Sequence, residues 1–149
     1  MTGADADFYS DFNKATENSV VITRGNDFGR ISLKADSDRL FVLIGGELHG
    51  AHFLECFREG LETGVLHPNM RTLVDLTGFT GAVDWGAVFT LRTLTSWGNK
   101  GVDQSRVAYV VRNDMFGALI KIVRVLFFNT QHRTFDNYVD AIAWLQSPP

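Results

Sequence analysis

Several absences bound this chain before any residue is singled out. One cysteine, Cys56, stands among 149 residues, so no internal disulfide framework exists and a reducing compartment suits the chain. The 14 lysines and arginines are scattered from Lys14 to Arg133 against 17 acidic residues, for a net charge of −3. No basic stripe forms, and nucleic acid is not an expected partner. No run approaches the ~18 consecutive apolar residues of a membrane span, and the opening Met1-Thr-Gly-Ala-Asp lacks the apolar stretch of a signal peptide. The expectation is a cytoplasmic protein. Gly-x-Ser-x-Gly, a P-loop and a dinucleotide fingerprint are all missing. There is no internal repeat, low-complexity segment or interdomain linker.

What is present reads as one globular domain. Hydrophobic residues make up 45% and charged residues 21%, an ordinary balance for a chain that buries a core. Residues 1–18 are polar around Phe8, Tyr9 and Phe12, and read as a tail or short docking helix preceding a domain over 19–149. Three strand-like runs follow, at 19–24, 29–34 and 39–45, separated by Gly25-Asn26-Asp27 and Asp36-Ser37-Asp38; they predict an antiparallel meander. Phe41-Val-Leu-Ile is apolar without alternation, the mark of a strand covered on both faces. Helices are then predicted over 49–64, 84–98 and 114–128, and a last one ends at Gln146 with Asp136 as its cap. Between them lie strands at 71–76, 106–111 and 133–135. This alternation implies an α/β fold: a mixed, mostly parallel sheet of four or five strands with about four packed helices.

Three places attract a functional reading. Asp75 ends a buried strand, and Thr77, Gly78, Thr80 and Gly81 follow it just ahead of a helix N-terminus. Ligands of open α/β sheets bind at such carboxyl ends, and helix N–H groups favour an anion. Equally, the glycines make a turn and Asp84 caps the helix. On that helix Ala87, Val88, Leu91 and Leu94 share the core face, which puts Trp85 and Phe89 on the other side beside Arg92. Such an aromatic pair is either a binding surface or the seat of the N-terminal segment. The helix at 114–128 is apolar well beyond the ~100° stripe that one sheet covers. Met115, Ala118, Leu119, Ile122, Val125 and Leu126 make its core face, and Phe116, Ile120, Val123 and Phe127 extend the apolar arc beyond it. They fit a dimer interface, a lipid-sized pocket, or burial within the chain.

Catalytic chemistry finds less support. His52, Cys56 and Glu59 recur at i, i+4 and i+7 and share a helix flank, but no fourth strong ligand accompanies them, and Cys56 borders the apolar face of Phe53, Leu54, Phe57 and Leu61. His67 and His132 have no acidic partner nearby in sequence. No metal or cofactor is expected.

The stretch Leu73-Val-Asp-Leu-Thr-Gly-Phe-Thr-Gly-Ala-Val-Asp-Trp-Gly resembles the strand–loop–helix signature of STAS domains. Arg106-Val-Ala-Tyr-Val-Val, Arg133-Thr-Phe-Asp and Asp140-Ala-Ile-Ala-Trp-Leu resemble the SpoIIAA-like family in particular, over roughly residues 19–146. The resemblance implies a STAS-like or CRAL-TRIO-like α/β fold, and no particular chemistry. Where phosphorylated STAS domains open the helix with Asp-Ser-Ser-Gly, this chain has Asp84-Trp85-Gly86-Ala87, so the phospho-serine switch does not transfer. The expected function is a non-enzymatic regulatory or protein-interaction module that forms a homodimer through residues 114–128. The alternative is a carrier for a small molecule or lipid; an enzyme with an unrecognised site comes third.

Overall fold

The computed structural model describes residues 20–35, 39–66, 70–94, 106–112, 121–124 and 130–148. The expected docking segment at 1–18 lies outside them. β1 (Val20–Gly25) opens with β-branched residues from Val20 to Thr23, which fit a pleated surface. The chain then turns at Asn26, whose side-chain carbonyl accepts the backbone N–H groups of Phe28 (2.8 Å) and Gly29 (3.2 Å). β2 (Gly29–Ala35) returns antiparallel and buries Ile31, Leu33 and Ala35 in strict alternation. β3 (Arg39–Gly46) completes the expected meander. Its Leu40 and Val42 join one apolar cluster, while Phe41 and Leu43 pack against another. Successive side chains alternate across a strand, so β3 is covered on both faces, as its unalternating sequence implies. Gly46 closes the strand at φ +67°, where a side chain would run into the Phe28 carbonyl.

After the meander every pairing is parallel. The order runs α1 (Gly50–Glu62), β4 (Arg71–Phe79), α2 (Trp85–Leu94), β5 (Arg106–Val110), α3 (described over 121–124), β6 (Gln131–Phe135) and α4 (Tyr138–Gln146). The strands lie in the sheet in sequence order, β1 to β6, with β3–β4, β4–β5 and β5–β6 parallel. When right-handed crossovers advance a sheet in one direction, the connecting helices share one face. The packing agrees. Cys56 and Phe57 of α1 and Leu91 of α2 meet Ile31, Leu33, Leu40 and Val42. Trp85 and Val88 of α2 and Val123 of α3 meet Leu76, Val107 and Tyr109. α4 has the other face to itself among the described residues, setting Tyr138, Ala141 and Leu145 against Leu73, Ala108 and Val110.

Three expectations are corrected. The sheet has six strands, not four or five, because the first and last runs pair along their whole length. β4 continues to Phe79, so Thr77 and Gly78 belong to a strand and not to a loop. α4 is capped by Asn137, whose side chain accepts the Asp140 N–H (2.9 Å); Asp136 accepts a bond from the Asn137 side chain instead (2.8 Å).

α4 is held at both ends by polar contacts. At its start the Tyr138 hydroxyl donates to the buried Asp75 carboxylate. At its end Arg71 donates to the Leu145 carbonyl (2.7 Å), and Arg106 reaches the carbonyls of Trp144 (2.7 Å) and Ser147 (2.8 Å) while lying over the Trp144 ring. Cations at a helix C-terminus also meet the negative end of its dipole. Arg106→Ala is expected to lower stability by about 1–3 kcal/mol in urea unfolding, the range for hydrogen bonds to a charged group. Arg106→Lys should recover only part, since the single nitrogen of an ammonium cannot also make the bond that the second guanidinium nitrogen donates to the Pro148 carbonyl (2.9 Å) or lie flat over the Trp144 ring.

Candidate functional site

The helical face of the sheet is not fully filled. A cavity of about 160 Å³ lies between the floor of β3, β4 and β5 and the roof of α1, α2 and Val123 of α3. Its walls are apolar almost throughout: Val42, Ile44, Val74 and Leu76 below, Phe53, Phe57, Trp85, Val88 and Leu91 above. Alternation along β4 explains the floor, since Thr72, Val74 and Leu76 point one way and Leu73 and Asp75 the other.

Polar groups enter this wall at one side. Tyr109 of β5 and His132 of β6 are both buried, and the Tyr109 hydroxyl and His132 Nδ1 are hydrogen-bonded at 3.0 Å. Their rings stack with centroids 5.8 Å apart. Burial holds the Tyr109 phenol above its ordinary range, so it stays un-ionised. The pair was not expected from the sequence, because the last strand was begun at Arg133, one residue after His132. With β6 starting at Gln131, the parallel register sets His132 beside Val107, on the face that Tyr109 shares.

The residues singled out in sequence do not converge. Asp75 is 4% exposed inside β4 and faces α4; besides Tyr138 it accepts the Thr77 N–H (2.8 Å) and hydroxyl (2.6 Å). Its carboxylate is thereby satisfied within the fold. Gly78 and Thr80 are exposed beyond it. The N-terminus of α2 is filled by Asp84, whose carboxylate accepts the Ala87 N–H (3.0 Å), and Gly50 gives it room: a side chain there would overlap that carboxylate. The capping reading of Asp84 holds, and it leaves no opening for an anion.

The expected aromatic pair also divides. Phe89 is 58% exposed, whereas Trp85 is half-buried and packs on the cavity side. Both lie on an almost wholly apolar helix, where periodicity alone does not fix the buried arc. Arg92, half-buried, follows Leu91 of the core. Val123, expected to face a partner, is buried against Leu76, Val107 and Tyr109, while Ile122, expected in the core, is 41% exposed. The apolar arc is wide enough that the helix turns by about one residue from the expected setting. Phe116, Ile120 and Phe127 lie outside the described residues.

On α1 the His52, Cys56 and Glu59 flank disperses. Cys56 is fully buried with its thiol toward the Ile22 carbonyl (3.7 Å), Glu59 forms an ion pair with Arg24, and His52 Nδ1 lies 3.7 Å from Glu55. No group of three His, Cys, Asp or Glu residues among the described ones is placed to hold a metal ion. No helix among them is long and apolar enough to cross a membrane.

The architecture, a six-stranded mixed sheet with three crossover helices on one face and a terminal helix on the other, defines an α/β fold of the SpoIIAA-like kind. It is similar to the crystal structure of an uncharacterized protein of the DUF3478 family with a SpoIIAA-like fold from Shewanella loihica PV-4. The TM-score is 0.56 at 20% identity, over 81% of this chain and 96% of that one, a likeness of fold alone. Residues 39–146 match the SpoIIAA-like family model, and the chain belongs to the SpoIIAA-like family. No curated protein matches it.

Two outcomes follow from the placements. Trp85→Ala is expected to destabilise by about 2–4 kcal/mol, the scale for truncating a packed aromatic, and Phe89→Ala by under ~0.5 kcal/mol; chemical denaturation of both variants compares them. Burial pushes the Cys56 thiol up from 9.0 to about 11. A group whose pKa is raised by folding stabilises fully below its unfolded value and loses that contribution as pH climbs through its folded value. Wild-type stability should therefore fall between pH 9 and about 11 by an increment that Cys56→Ala lacks, and a thiol reagent at pH 7.5 should label Cys56 only after unfolding.

Proposed function

We propose that this domain is a non-catalytic binder or carrier of a small apolar molecule, held between the sheet and its crossover helices. The observation that carries this is the apolar cavity of about 160 Å³. At ~24 cal/mol per Å³, a closed and dry void of that size would cost on the order of 4 kcal/mol, an upper bound for this partly open one and a large share of the 5–15 kcal/mol by which domains are stable. A comparable apolar cavity of about 150 Å³ stays dry and takes up benzene. Lodging an apolar occupant offsets the loss, which gives such a void a reason to persist.

The interaction-module reading has less to stand on. It rests on an exposed Trp85–Phe89 pair, and with Trp85 half-buried on the cavity side only Phe89 of that pair is exposed. Self-association through the wide apolar arc at 114–128 is compatible with a binding domain and is read out by the same experiment.

Native mass spectrometry of the gently purified chain should show a retained small-molecule mass, and the number of subunits with it. Added benzene should raise the melting temperature by the amount mass action dictates, RT ln(1 + [L]/Kd). Val88→Phe, which projects a ring into the void, should leave the fold intact and abolish that shift. A chain with no retained mass, no benzene response and a Val88→Phe variant destabilised by about 1–3 kcal/mol, as overpacking a filled core would be, would overturn the proposal.

A further inference from the structure

We infer that the occupant is an uncharged ring-sized molecule with one hydrogen-bonding group, of the phenol type, its polar end against Tyr109 and its apolar body toward Leu76 and Trp85. This rests on the cavity being a ligand site and names what the site selects.

The argument begins with how the strands distribute polarity. In the parallel register Thr72 of β4, Val107 of β5 and His132 of β6 form one row across the sheet. Tyr109 lies two residues further along β5 and bonds back to His132. Thr72 and His132 stand at the starts of β4 and β6, and the Tyr109 hydroxyl reaches back to His132 from near the end of β5, so three polar side chains share one side of the wall. Toward the strand ends the walls are Ile44, Leu76, Phe79 and Trp85. Apart from Thr130 beside β6 and Asp84 at the cap of α2, the rest of the described wall is apolar, so an occupant has a preferred direction.

Charge then limits the occupant. No lysine or arginine is among the described residues that line the cavity. Arg124 of α3 donates to the His132 carbonyl (3.0 Å) and is not part of the lining. The one carboxylate in the wall, Asp84, is committed to the Ala87 N–H as a helix cap. An anion would lose its hydration with no cation among the described lining residues to meet it, and a cation would meet only a carboxylate that already caps α2 through Oδ1. The Tyr109 hydroxyl makes one hydrogen bond among the described residues, to His132. A hydroxyl has one donor and two acceptor positions, so either sense of that bond leaves capacity for a ligand hydroxyl. Volume agrees with a six-membered ring: the cavity matches, to about a tenth, one that holds benzene.

The test titrates the full-length protein with benzene, phenol, benzoate and benzylammonium, by calorimetry or ligand-observed NMR. Phenol should bind about 3–10-fold more tightly than benzene, the worth of one neutral hydrogen bond. Benzoate and benzylammonium should bind at least ten-fold more weakly than benzene. Tyr109→Phe should bring phenol down to the benzene level and leave benzene within about two-fold. Nuclear Overhauser contacts should link the phenol ring to the Trp85 or Leu76 side chains. The wild-type ranking stands without any variant, so the inference remains testable even if Tyr109→Phe fails to fold. Equal binding of phenol and benzene, or preference for either charged probe, would overturn this inference while leaving the cavity a ligand site. Failure of all four probes to bind would sink the binding proposal itself.

Discussion

A buried carboxylate in a central strand sets the terms on which this fold assembles. Asp75 sits in β4 with parallel strands on both sides, 4% exposed. A carboxylate taken out of water costs several kcal/mol unless donors surround it. Thr77, two residues along the same strand, supplies two donors through its N–H and hydroxyl, but the remaining oxygen needs a partner from outside the strand. Tyr138, the first residue of α4, brings it. The far face of the sheet is therefore closed by a helix whose first side chain answers a polar demand in the sheet. Arg71 and Arg106, from the starts of β4 and β5, take up the carbonyls at its other end. Between these anchors the contact is close: Ala108 and Ala141 are both fully buried.

The opposite face follows a different logic. Three crossovers deliver α1, α2 and α3 to it, each bound by the length of its own connection. Their large side chains, Phe53, Phe57 and Trp85, pack on the sheet and also line the space that remains above the valines and leucines of the floor. One face of the same sheet is thus packed to contact by a pinned helix, and the other borders a partly open cavity. Interiors are ordinarily filled to crystal-like density, and it is this contrast between the two faces that the proposed binding role rests on.

Much of this is legible in the chain itself, and the misses share a cause. The meander is readable because turn-formers separate short β-branched runs, and β3 announces two-sided burial by losing its alternation. The parallel half is readable from strands alternating with helix-length segments. What fails is rotation and register. On α2 and α3 nearly every position is apolar, so a 3.6-residue period has no polar stripe to orient it, and Trp85, Ile122 and Val123 were each placed on the wrong side. The Tyr109–His132 and Asp75–Tyr138 pairs join residues 23 and 63 positions apart. No local spacing foretells such contacts; they need strand order and register first. Beginning β6 two residues late is enough to leave His132 outside the sheet and the cavity's polar end unseen.

These two features bear on function together. A domain that binds by enclosing its ligand must keep a void without collapsing into it, and a collapsed core regains the dispersion contacts that an empty one forfeits. The sheet resists collapse from behind because α4 is bonded at its ends to β4 and β5 and holds their spacing. The crossover helices resist it from above because α1 and α2 already pack on each other, with Asp84 lodged against Gly50. A floor and a roof each held by contacts outside the cavity can remain apart when the cavity is empty. Occupancy then changes stability more than shape: a ligand at a hundred times its dissociation constant adds about 2.7 kcal/mol, most of what the void of about 160 Å³ takes away. In the proposed reading the filled and empty states differ chiefly in how readily they unfold, and the rigid face behind the sheet is what allows the front face to stay open.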